Sequence, residues 1–293
     1  MKISTHTGSF RKYFSDRQVV DIFKDAGFDA IDYSFFDPAD YDLSVSDEKY
    51  RERYTELRKY VEDKGLYYNQ SHAPHPTSRT DKAFTKKRFD EVIRTIKNSS
   101  LLGVRNVIVH PFQHLGYSVG NNPDILYGMN LDFYARIIPY CEEYGVTVCV
   151  ENMWQEREGS SEIQHSTCSR AEEFVRYIDG IGSPFVKACV DIGHTVLVGE
   201  NPARVLKALG NRVAALHVHD NDGIIDTHTL PFFGTVEWDD VAKSLKEIGY
   251  DGEITLEAWG FTDRHGLPTS LRADAAKFMA SVARKFADTV EKA

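Results

Sequence analysis

The chain alternates amphipathic helical segments with short apolar runs, and a glycine stands between the two at most junctions. The run DAIDYSF follows Gly27, for example, and the run VRNVIVH follows Gly103. A helix end favours the left-handed backbone conformation, which glycine adopts with little strain. Five further junctions have the same form, at Gly65, Gly145, Gly182, Gly210 and Gly249. This pattern predicts an α/β protein in which helices and strands alternate.

With the opening segment KISTHT as the first strand, the pattern contains eight strand-like runs, most of which finish in a polar residue. The runs recur roughly every 27 to 42 residues, which is the spacing of strand-then-helix units. They are largely apolar, as parallel strands buried on both faces are. A chain of 293 residues also suits a barrel, which takes about 250 residues or more. We therefore predict a single (β/α)8 TIM barrel over residues 1–293, with no linker and no second domain.

Helical periodicity places apolar side chains on one face of the predicted helices, where they can pack on the barrel. The second helix carries Tyr50, Tyr54, Leu57 and Val61 on one face, and the last carries Leu271, Ala275, Phe278, Met279, Val282 and Phe286. Two segments have the form of helix starts. Ser169 with Glu172 predicts a capping box, and Asn201 before Pro202 predicts a cap followed by a first-turn proline.

Charge and composition limit the classes of molecule that the protein is expected to bind. Lys and Arg number 35 and Asp and Glu number 44, so the net charge is −9. Nucleic-acid binding depends on clustered cations, so no nucleic-acid partner is expected. The short cationic run at 86–88 fits a solvated helix face. No apolar run has the length of a membrane span, and the chain opens without a signal-like segment, which predicts a soluble cytoplasmic protein. A homo-oligomer is compatible with this pattern.

The four cysteines show no paired spacing in the sequence. Two of them, Cys149 and Cys189, lie inside apolar strand-like runs. We expect buried thiols rather than disulfides or a zinc knuckle.

Ionisable side chains close the predicted strands. These residues are His6, Asp32, His72, His110, Glu151, Asp191, His217 and Glu257. In a TIM barrel the carboxyl ends of all strands face one common pocket. Burying several carboxylates together is strongly unfavourable unless a cation accompanies them. The strand ends therefore predict a divalent metal site.

Four of these residues form the most plausible ligand set, namely Glu151, Asp191, His217 and Glu257. Three carboxylates and one imidazole suit a fairly hard ion such as Mn²⁺, Mg²⁺ or Co²⁺, and Zn²⁺ also fits. His194 follows Asp191 by one helical turn and is expected to reach the same cavity, either directly or as an outer hydrogen-bond donor.

The loop after the seventh strand holds further donors at Asp226 and His228. Their role is open between ligands of a second metal, substrate contacts and loop anchors. His72 and His110 are likewise candidates for an additional metal or for substrate.

Several short motifs, taken in order, resemble the xylose isomerase-like barrels. They are SHAPH at 71–75, VIVHP at 107–111, VEN at 150–152, VDIGH at 190–194, HVHDN at 217–221, DTH at 226–228 and LEAW at 256–259. This superfamily includes sugar isomerases, ketose epimerases, inosose dehydratases and, more distantly, endonuclease IV. The resemblance extends over essentially the whole chain, and it specifies the fold more closely than any one activity.

The isomerase and epimerase branch implies one divalent metal held by Glu151, Asp191, His217 and Glu257. The two glutamates then act as the acid and base that move a proton next to the carbonyl of a sugar or sugar phosphate, through a metal-stabilised enediolate. The resemblance also implies that His194 binds a substrate oxygen. Four aromatic residues are expected either to wall the pocket or to pack within loops: Trp154, Phe112, Trp259 and Phe232.

The endonuclease IV branch implies another function, cleavage of abasic DNA by three zinc ions. Nine residues match its ligand set: His72, His110, Glu151, Asp191, His194, His217, Asp226, His228 and Glu257. Three features favour the sugar enzyme instead: the acidic charge, the segment APHPTSRT in place of a DNA-intruding apolar wedge, and the lack of a basic stripe interleaved with aromatics.

Two further alternatives stay open. A dehydratase acting on an inosose or another keto-sugar would begin with the same proton abstraction. A non-catalytic barrel that binds sugar or protein is disfavoured, because a binding site does not need two poised acid/base groups.

Overall fold

The centre of the fold is a parallel sheet of eight strands that curves into a barrel. The computed structural model describes residues 1–117, 122–264 and 266–293. Within them the strands are β1 (Ile3–His6), β2 (Ala30–Ser34), β3 (Tyr68–His72), β4 (Asn106–Ile108), β5 (Thr147–Glu151), β6 (Trp154–Glu156), β7 (Ile163–His165), β8 (Val186–Asp191), β9 (Val213–His217) and β10 (Ile254–Leu256).

The barrel strands follow the order β10-β1-β2-β3-β4-β5-β8-β9, and β6 and β7 form a separate antiparallel hairpin. A parallel bridge between Val218 and Leu256 joins the two outer strands. The predicted (β/α)8 barrel is confirmed. The hairpin at 154–165 is absent from the prediction, because its short, half-exposed strands carry no clear apolar alternation.

Helices connect successive barrel strands and cover the outside of the sheet. In the described chain they are α1 (Gly8–Arg11), α2 (Asp16–Ala26), α3 (Asp47–Asp63), α4 (Lys82–Leu102), α5 (Asn122–Tyr144), α6 (Ala171–Ile181), α7 (Ile192–Leu197), α8 (Pro202–Leu209), α9 (Trp238–Glu247), α10 (Trp259–Asp263) and α11 (Arg272–Lys292). Short 3₁₀ turns lie at Pro38–Asp40, Gly210–Arg212 and Thr269–Leu271. None of the described helices combines the length and the apolar character that crossing a bilayer requires.

Helix ends follow the predicted glycine pattern. All seven predicted glycines have a positive φ, for example 94° at Gly27 and 79° at Gly103. Gly27 and Gly103 are the C-caps of α2 and α4. The cap at Asn201 is also confirmed, since its side chain accepts a hydrogen bond from the backbone N–H of Arg204.

The predicted capping box at Ser169 and Glu172 is wrong. The N-cap of α6 is Arg170, without a side-chain cap hydrogen bond. The Ser169 hydroxyl instead accepts from the Ser166 N–H at 3.2 Å and contacts His165 Nδ1 at 3.0 Å. A local turn thus takes the hydroxyl that the helix could have used.

The predicted apolar face of α3 is confirmed, and that of α11 is only partly right. Tyr50, Tyr54, Leu57 and Val61 are all buried. On the last helix Met279, Val282 and Phe286 are buried, whereas Leu271 and Phe278 are 49% and 46% exposed. The buried stripe continues through small residues instead, namely Ala276, Ala280, Ala283 and Ala287. Alanines allow α11 to lie close to its neighbours.

The barrel interior is less apolar than expected on the side of β1, β3 and β10. The Ser4 hydroxyl donates to Asn69 Oδ1 at 2.7 Å, and the Asn69 amide donates to Thr255 Oγ1 at 2.9 Å. Gln70 Nε2 donates to Asp32 Oδ2 at 3.0 Å. These buried polar groups satisfy one another, and the chain of contacts ends at Asp32, beneath the mouth of the barrel.

All four cysteines are buried and free. The expectation of unpaired thiols is therefore confirmed.

Candidate metal centre and active-site cavity

Four donors meet at the carboxyl ends of β5, β8, β9 and β10. Ligand atoms of Glu151, Asp191, His217 and Glu257 all lie within 4.8 Å of one another. His217 Nδ1 is 3.2 Å from Glu151 Oε1, 3.4 Å from Glu257 Oε2 and 3.7 Å from Asp191 Oδ2. The structure thus brings together the four residues predicted from the strand ends.

The electrostatics of this set fit a divalent cation. Both ring nitrogens of His217 are buried without a hydrogen-bond partner. Burial, reinforced by the charges of Glu151 and Asp191, raises the pKa of Glu257 well above its usual value. Burial opposes ionisation of Glu151 as well, but His217 and His110 outweigh it and hold the pKa of Glu151 well below its usual range. Without a metal ion, the Glu257 carboxyl therefore keeps its proton. A bound metal ion would supply the positive charge in place of that proton.

Asp191 is held in place by hydrogen bonds. Its Oδ1 accepts from the backbone N–H of His194 at 2.6 Å. His219 Nε2 lies 2.9 Å from the same oxygen, and the Asp191 N–H donates to Asn152 Oδ1 at 2.8 Å. Outer contacts of this kind orient metal ligands. His219 was not among the predicted site residues, although HVHDN places it two residues after His217.

A second donor set lies beside the first. It comprises His194, His219, Asp226 and His228, again with ligand atoms within 4.8 Å. His194 Nδ1 contacts the Asn152 carbonyl at 3.0 Å, and His228 Nδ1 contacts the Glu257 carbonyl at 2.7 Å. A ring nitrogen that faces a carbonyl donates its proton there, so the other nitrogen of each ring, Nε2, is the one turned to Asp226 Oδ2, at 3.5 Å for His194 and 2.9 Å for His228. Burial opposes protonation of His194, but Asp191 and Asp226 outweigh it and raise the pKa of His194 well above its usual value. The set therefore favours positive charge, which a proton or a metal ion can supply.

A third set joins the first through Glu151. Ligand atoms of His72, His110 and Glu151 lie within 4.8 Å of one another, and His110 Nε2 is 3.0 Å from Glu151 Oε2. Asp32, predicted at a strand end, lies inside β2 instead, with its Oδ2 3.2 Å from His72 Nδ1. Asp32 therefore holds the His72 ring in place through the ring's Nδ1 atom.

His6 reaches the cavity from the end of β1 without a partner. It is 2% exposed, and neither ring nitrogen has a hydrogen-bond partner among the described groups. Burial lowers the pKa of His6 to about 3. Its imidazole is therefore neutral at neutral pH.

Several of these donors line a cavity of about 700 Å³ at the mouth of the barrel. Glu151, His194, Asp226, His228 and Glu257 line its inner part, together with Trp154 and Trp259. The Trp154 indole donates to Asp226 Oδ2 at 3.0 Å, and the Trp259 ring stacks on His228 at a centroid distance of 4.7 Å.

Two of the four predicted wall aromatics do not line this cavity. The Phe112 ring packs against Phe133 at 4.5 Å, and Phe232 is 47% exposed, near Trp238. Other residues take their place in the wall, including Phe36, His75 and Met153. Which way an aromatic in a loop points depends on the packing of neighbouring helices, so the strand-end pattern could not assign them.

Comparison with known proteins identifies the class. The family model of the xylose isomerase-like TIM barrel matches residues 20–282. The chain therefore belongs to the xylose isomerase-like TIM barrel family.

Relatives include an uncharacterized protein, y4fM, of Sinorhizobium fredii, 24% identical over 264 residues, which are 82% of this chain and 80% of that protein. The D-psicose 3-epimerase of Agrobacterium fabrum is 21% identical over 208 residues, 69% of this chain and 67% of the enzyme. The IOLI protein, crystallised with a bound zinc atom, superposes with a TM-score of 0.78 at 18% identity, covering 100% of this chain and 99% of that one.

Proposed function

We propose that the protein is a divalent-metal-dependent isomerase or epimerase of a small sugar or sugar phosphate. The observation that carries the proposal is the convergence of two glutamates on one imidazole nitrogen, with Glu151 Oε1 at 3.2 Å and Glu257 Oε2 at 3.4 Å from His217 Nδ1. A relative named D-psicose 3-epimerase supports the same class of reaction. No nucleic-acid partner is part of the proposal.

One metal ion is assigned to Glu151, Asp191, His217 and Glu257. Mn²⁺, Mg²⁺, Co²⁺ and Zn²⁺ all suit this donor set, and zinc is the ion named for the IOLI protein. When bound, the ion supplies a Lewis acid that polarises the carbonyl of an open-chain sugar.

The two glutamates move the proton. Glu151, whose pKa is lowered, is ionised and accepts a proton from the carbon next to the carbonyl. Glu257, on the opposite side, returns a proton to the substrate. His194 offers Nε2 to a substrate oxygen, and the two indoles of Trp154 and Trp259 shield the inner cavity from water.

The proposal is tested by proton exchange in D₂O with D-psicose and D-fructose as probes, in the presence of Mn²⁺. The wild-type protein should incorporate deuterium at the carbon beside the carbonyl, and Glu151→Gln should lose this activity by about 10³-fold or more, as removal of a catalytic base does. Glu62→Gln, which changes an exposed carboxylate of α3, is the matched control.

Metal content is measured on the same samples, because Glu151 is also a candidate ligand. Exchange by Glu151→Gln at the wild-type rate would exclude Glu151 as the base. Release of water from the probe, seen as a new unsaturated or dicarbonyl product, would instead favour the dehydratase.

One observation favours a second candidate, a zinc phosphodiesterase that cleaves abasic DNA. The three donor sets described above and a fourth, formed by Asp32, His72 and His217, adjoin one another, and Glu151 belongs to two of them. About one metal ion per chain by elemental analysis, with no cleavage of a duplex containing an abasic site, is the result we expect. About three zinc ions per chain together with such cleavage would overturn the sugar enzyme.

A further inference from the structure

A second cavity of about 370 Å³ opens beside the metal-centre cavity, between α4 and α5. Its rim carries four cationic side chains, those of Arg79, Lys82, Lys86 and Arg136. None of its described lining residues is an Asp or Glu, although the chain as a whole has a net charge of −9. A cavity whose charged lining residues all carry positive charge concentrates a positive potential that attracts small anions.

The cations are largely free to bind a ligand. Across the described residues, neither Arg79 nor Lys82 has a carboxylate within ion-pair distance. Among the described residues, the carboxylates within ion-pair distance of Lys86 and Arg136 lie on their own helices, Asp90 at 3.7 Å and Asp132 at 3.9 Å. Such exposed ion pairs are weak, so Lys86 and Arg136 can leave these carboxylates and bind an anionic ligand.

The floor of the cavity is apolar. Phe89, Phe112, Met129 and Phe133 form it, and the Arg136 guanidinium lies over the Phe89 ring at 4.1 Å. Phe112, which does not line the metal-centre cavity, has its place here. The site therefore offers cations for a charged group and aromatic surface for an organic one.

The two cavities are neighbours. Arg79 and His114 line both of them. Arg79 belongs to the loop that follows β3, and its guanidinium stacks on Phe84 of α4 at 4.3 Å. A ligand in the second cavity thus lies next to whatever occupies the first.

We propose that this second cavity is a binding site for a small organic anion, with a phosphate or carboxylate held by Arg79, Lys82, Lys86 and Arg136 and an apolar portion resting on the phenylalanine floor. The anion is either a substituent carried by the sugar substrate or a separate molecule. The binding site itself does not depend on the proposed catalytic activity. It also gives a ligand to Lys86 of the cationic segment at 86–88, whereas Lys87 and Arg88 pair with Glu91.

The test is a titration of the full-length protein with phenyl phosphate, followed by calorimetry or ligand-observed NMR, in EDTA so that no metal binds the phosphate. Phenyl phosphate should bind, whereas benzyl alcohol, which lacks the charge, should bind much more weakly. The double variant Lys82→Gln/Lys86→Gln should weaken binding by about tenfold or more, because each cation contributes a charge-assisted hydrogen bond. The double variant Lys59→Gln/Lys285→Gln removes the same charge from exposed helix surfaces and should bind as the wild type does.

No binding of phenyl phosphate, or equal loss in both double variants, would overturn the proposal. Glu151→Gln should bind phenyl phosphate as the wild type does, since Glu151 does not line this cavity. A failure of the catalytic proposal can therefore be distinguished from a failure of the anion-site proposal. In the presence of Mn²⁺, a lower KM for D-fructose 6-phosphate than for D-fructose that is lost in Lys82→Gln/Lys86→Gln would assign the anion to the substrate. Sugar turnover that this double variant leaves unchanged, with phenyl phosphate binding weakened, would assign the anion to a separate ligand.

Discussion

Some positions in the site are packed so closely that no larger side chain fits there. Gly193, at the start of α7, is an example. A Cβ atom at this position would lie 2.0 Å from Cε1 and 2.4 Å from Nδ1 of the buried His219 ring. That ring contacts Asp191, so the packing at Gly193 bears on a candidate metal ligand.

Gly193→Ala should therefore destabilise the protein and weaken metal binding together. Overpacking a buried position costs about 1–3 kcal/mol, and the displaced ring would take Asp191 with it. Urea unfolding and a Mn²⁺ titration measure the two effects. Gly128→Ala is the control, because it lies within α5 with nothing within 4 Å of the added Cβ. It should leave metal binding unchanged and stability equal or higher by up to about 1 kcal/mol.

His6 should make the stability of the metal-free protein depend on pH. The folded protein keeps His6 neutral down to its pKa of about 3, whereas the unfolded chain binds a proton at about pH 6.5 and below. The unfolded state therefore holds more protons in this window, and the free energy of unfolding should fall as the pH decreases, by up to about 1.4 kcal/mol per pH unit from this residue.

His6→Asn removes the titrating group and should give a shallower decline between about pH 7 and about pH 5. Chemical unfolding of both proteins at the two pH values measures the difference. An identical slope in the variant would contradict the assignment of a neutral imidazole.

At the scale of elements, a buried ion-pair cluster fastens the first helices to one another. Asp40, in the 3₁₀ turn Pro38–Asp40, is fully buried and accepts hydrogen bonds from Arg11 at 2.7 Å and from Arg53 at 2.8 Å. Its backbone carbonyl accepts from Tyr54 and Asn98. One short turn thereby links α1, α3 and α4 outside the first strands of the barrel.

Asp40→Asn should cost about 3 kcal/mol in the free energy of unfolding, because Arg11 would lose its fully buried counter-charge and keep only the partly exposed Asp16. The control is Asp47→Asn on α3, where a half-exposed carboxylate pairs with Arg94 and Lys97, and there the loss should stay within about 1 kcal/mol. Urea unfolding measures both variants. An equal loss in the free energy of unfolding would show that burial of the Asp40 cluster does not increase its contribution to stability.

At the scale of the whole molecule, the candidate metal centre is assembled only in the closed barrel. Its four candidate ligands come from β5, β8, β9 and the segment after β10, so the unfolded chain does not hold them together. Any ion that binds the native set alone stabilises the fold by mass action.

Saturating Mn²⁺ should therefore raise the unfolding temperature of the wild-type protein. At 100 times the Kd the gain is about 2.7 kcal/mol. His217→Gln, which removes the central imidazole, should lose most of this shift. His165→Gln, in the β6–β7 hairpin and outside the donor sets, should retain it. If Mn²⁺ raises the unfolding temperature of both variants equally, the ion binds outside the set of Glu151, Asp191, His217 and Glu257.

The sequence by itself determined the barrel and the convergence of four candidate metal ligands. Glycine-terminated helices followed by strand-like runs define the repeating unit, and parallel strands must end at one edge. Glu151, Asp191, His217 and Glu257 could be brought together on that topological ground alone. No knowledge of side-chain direction was needed.

Only the tertiary structure decided what surrounds that set. It turned Phe112 and Phe232 away from the metal-centre cavity, placed His219 against Asp191, and assembled a cationic cavity between α4 and α5. These features depend on side-chain rotamers and loop paths set by packing between elements far apart in the chain. A local pattern of polar and apolar residues does not specify that packing, and for this reason the walls of the site, unlike the convergence of its four candidate ligands, could not be predicted from the sequence.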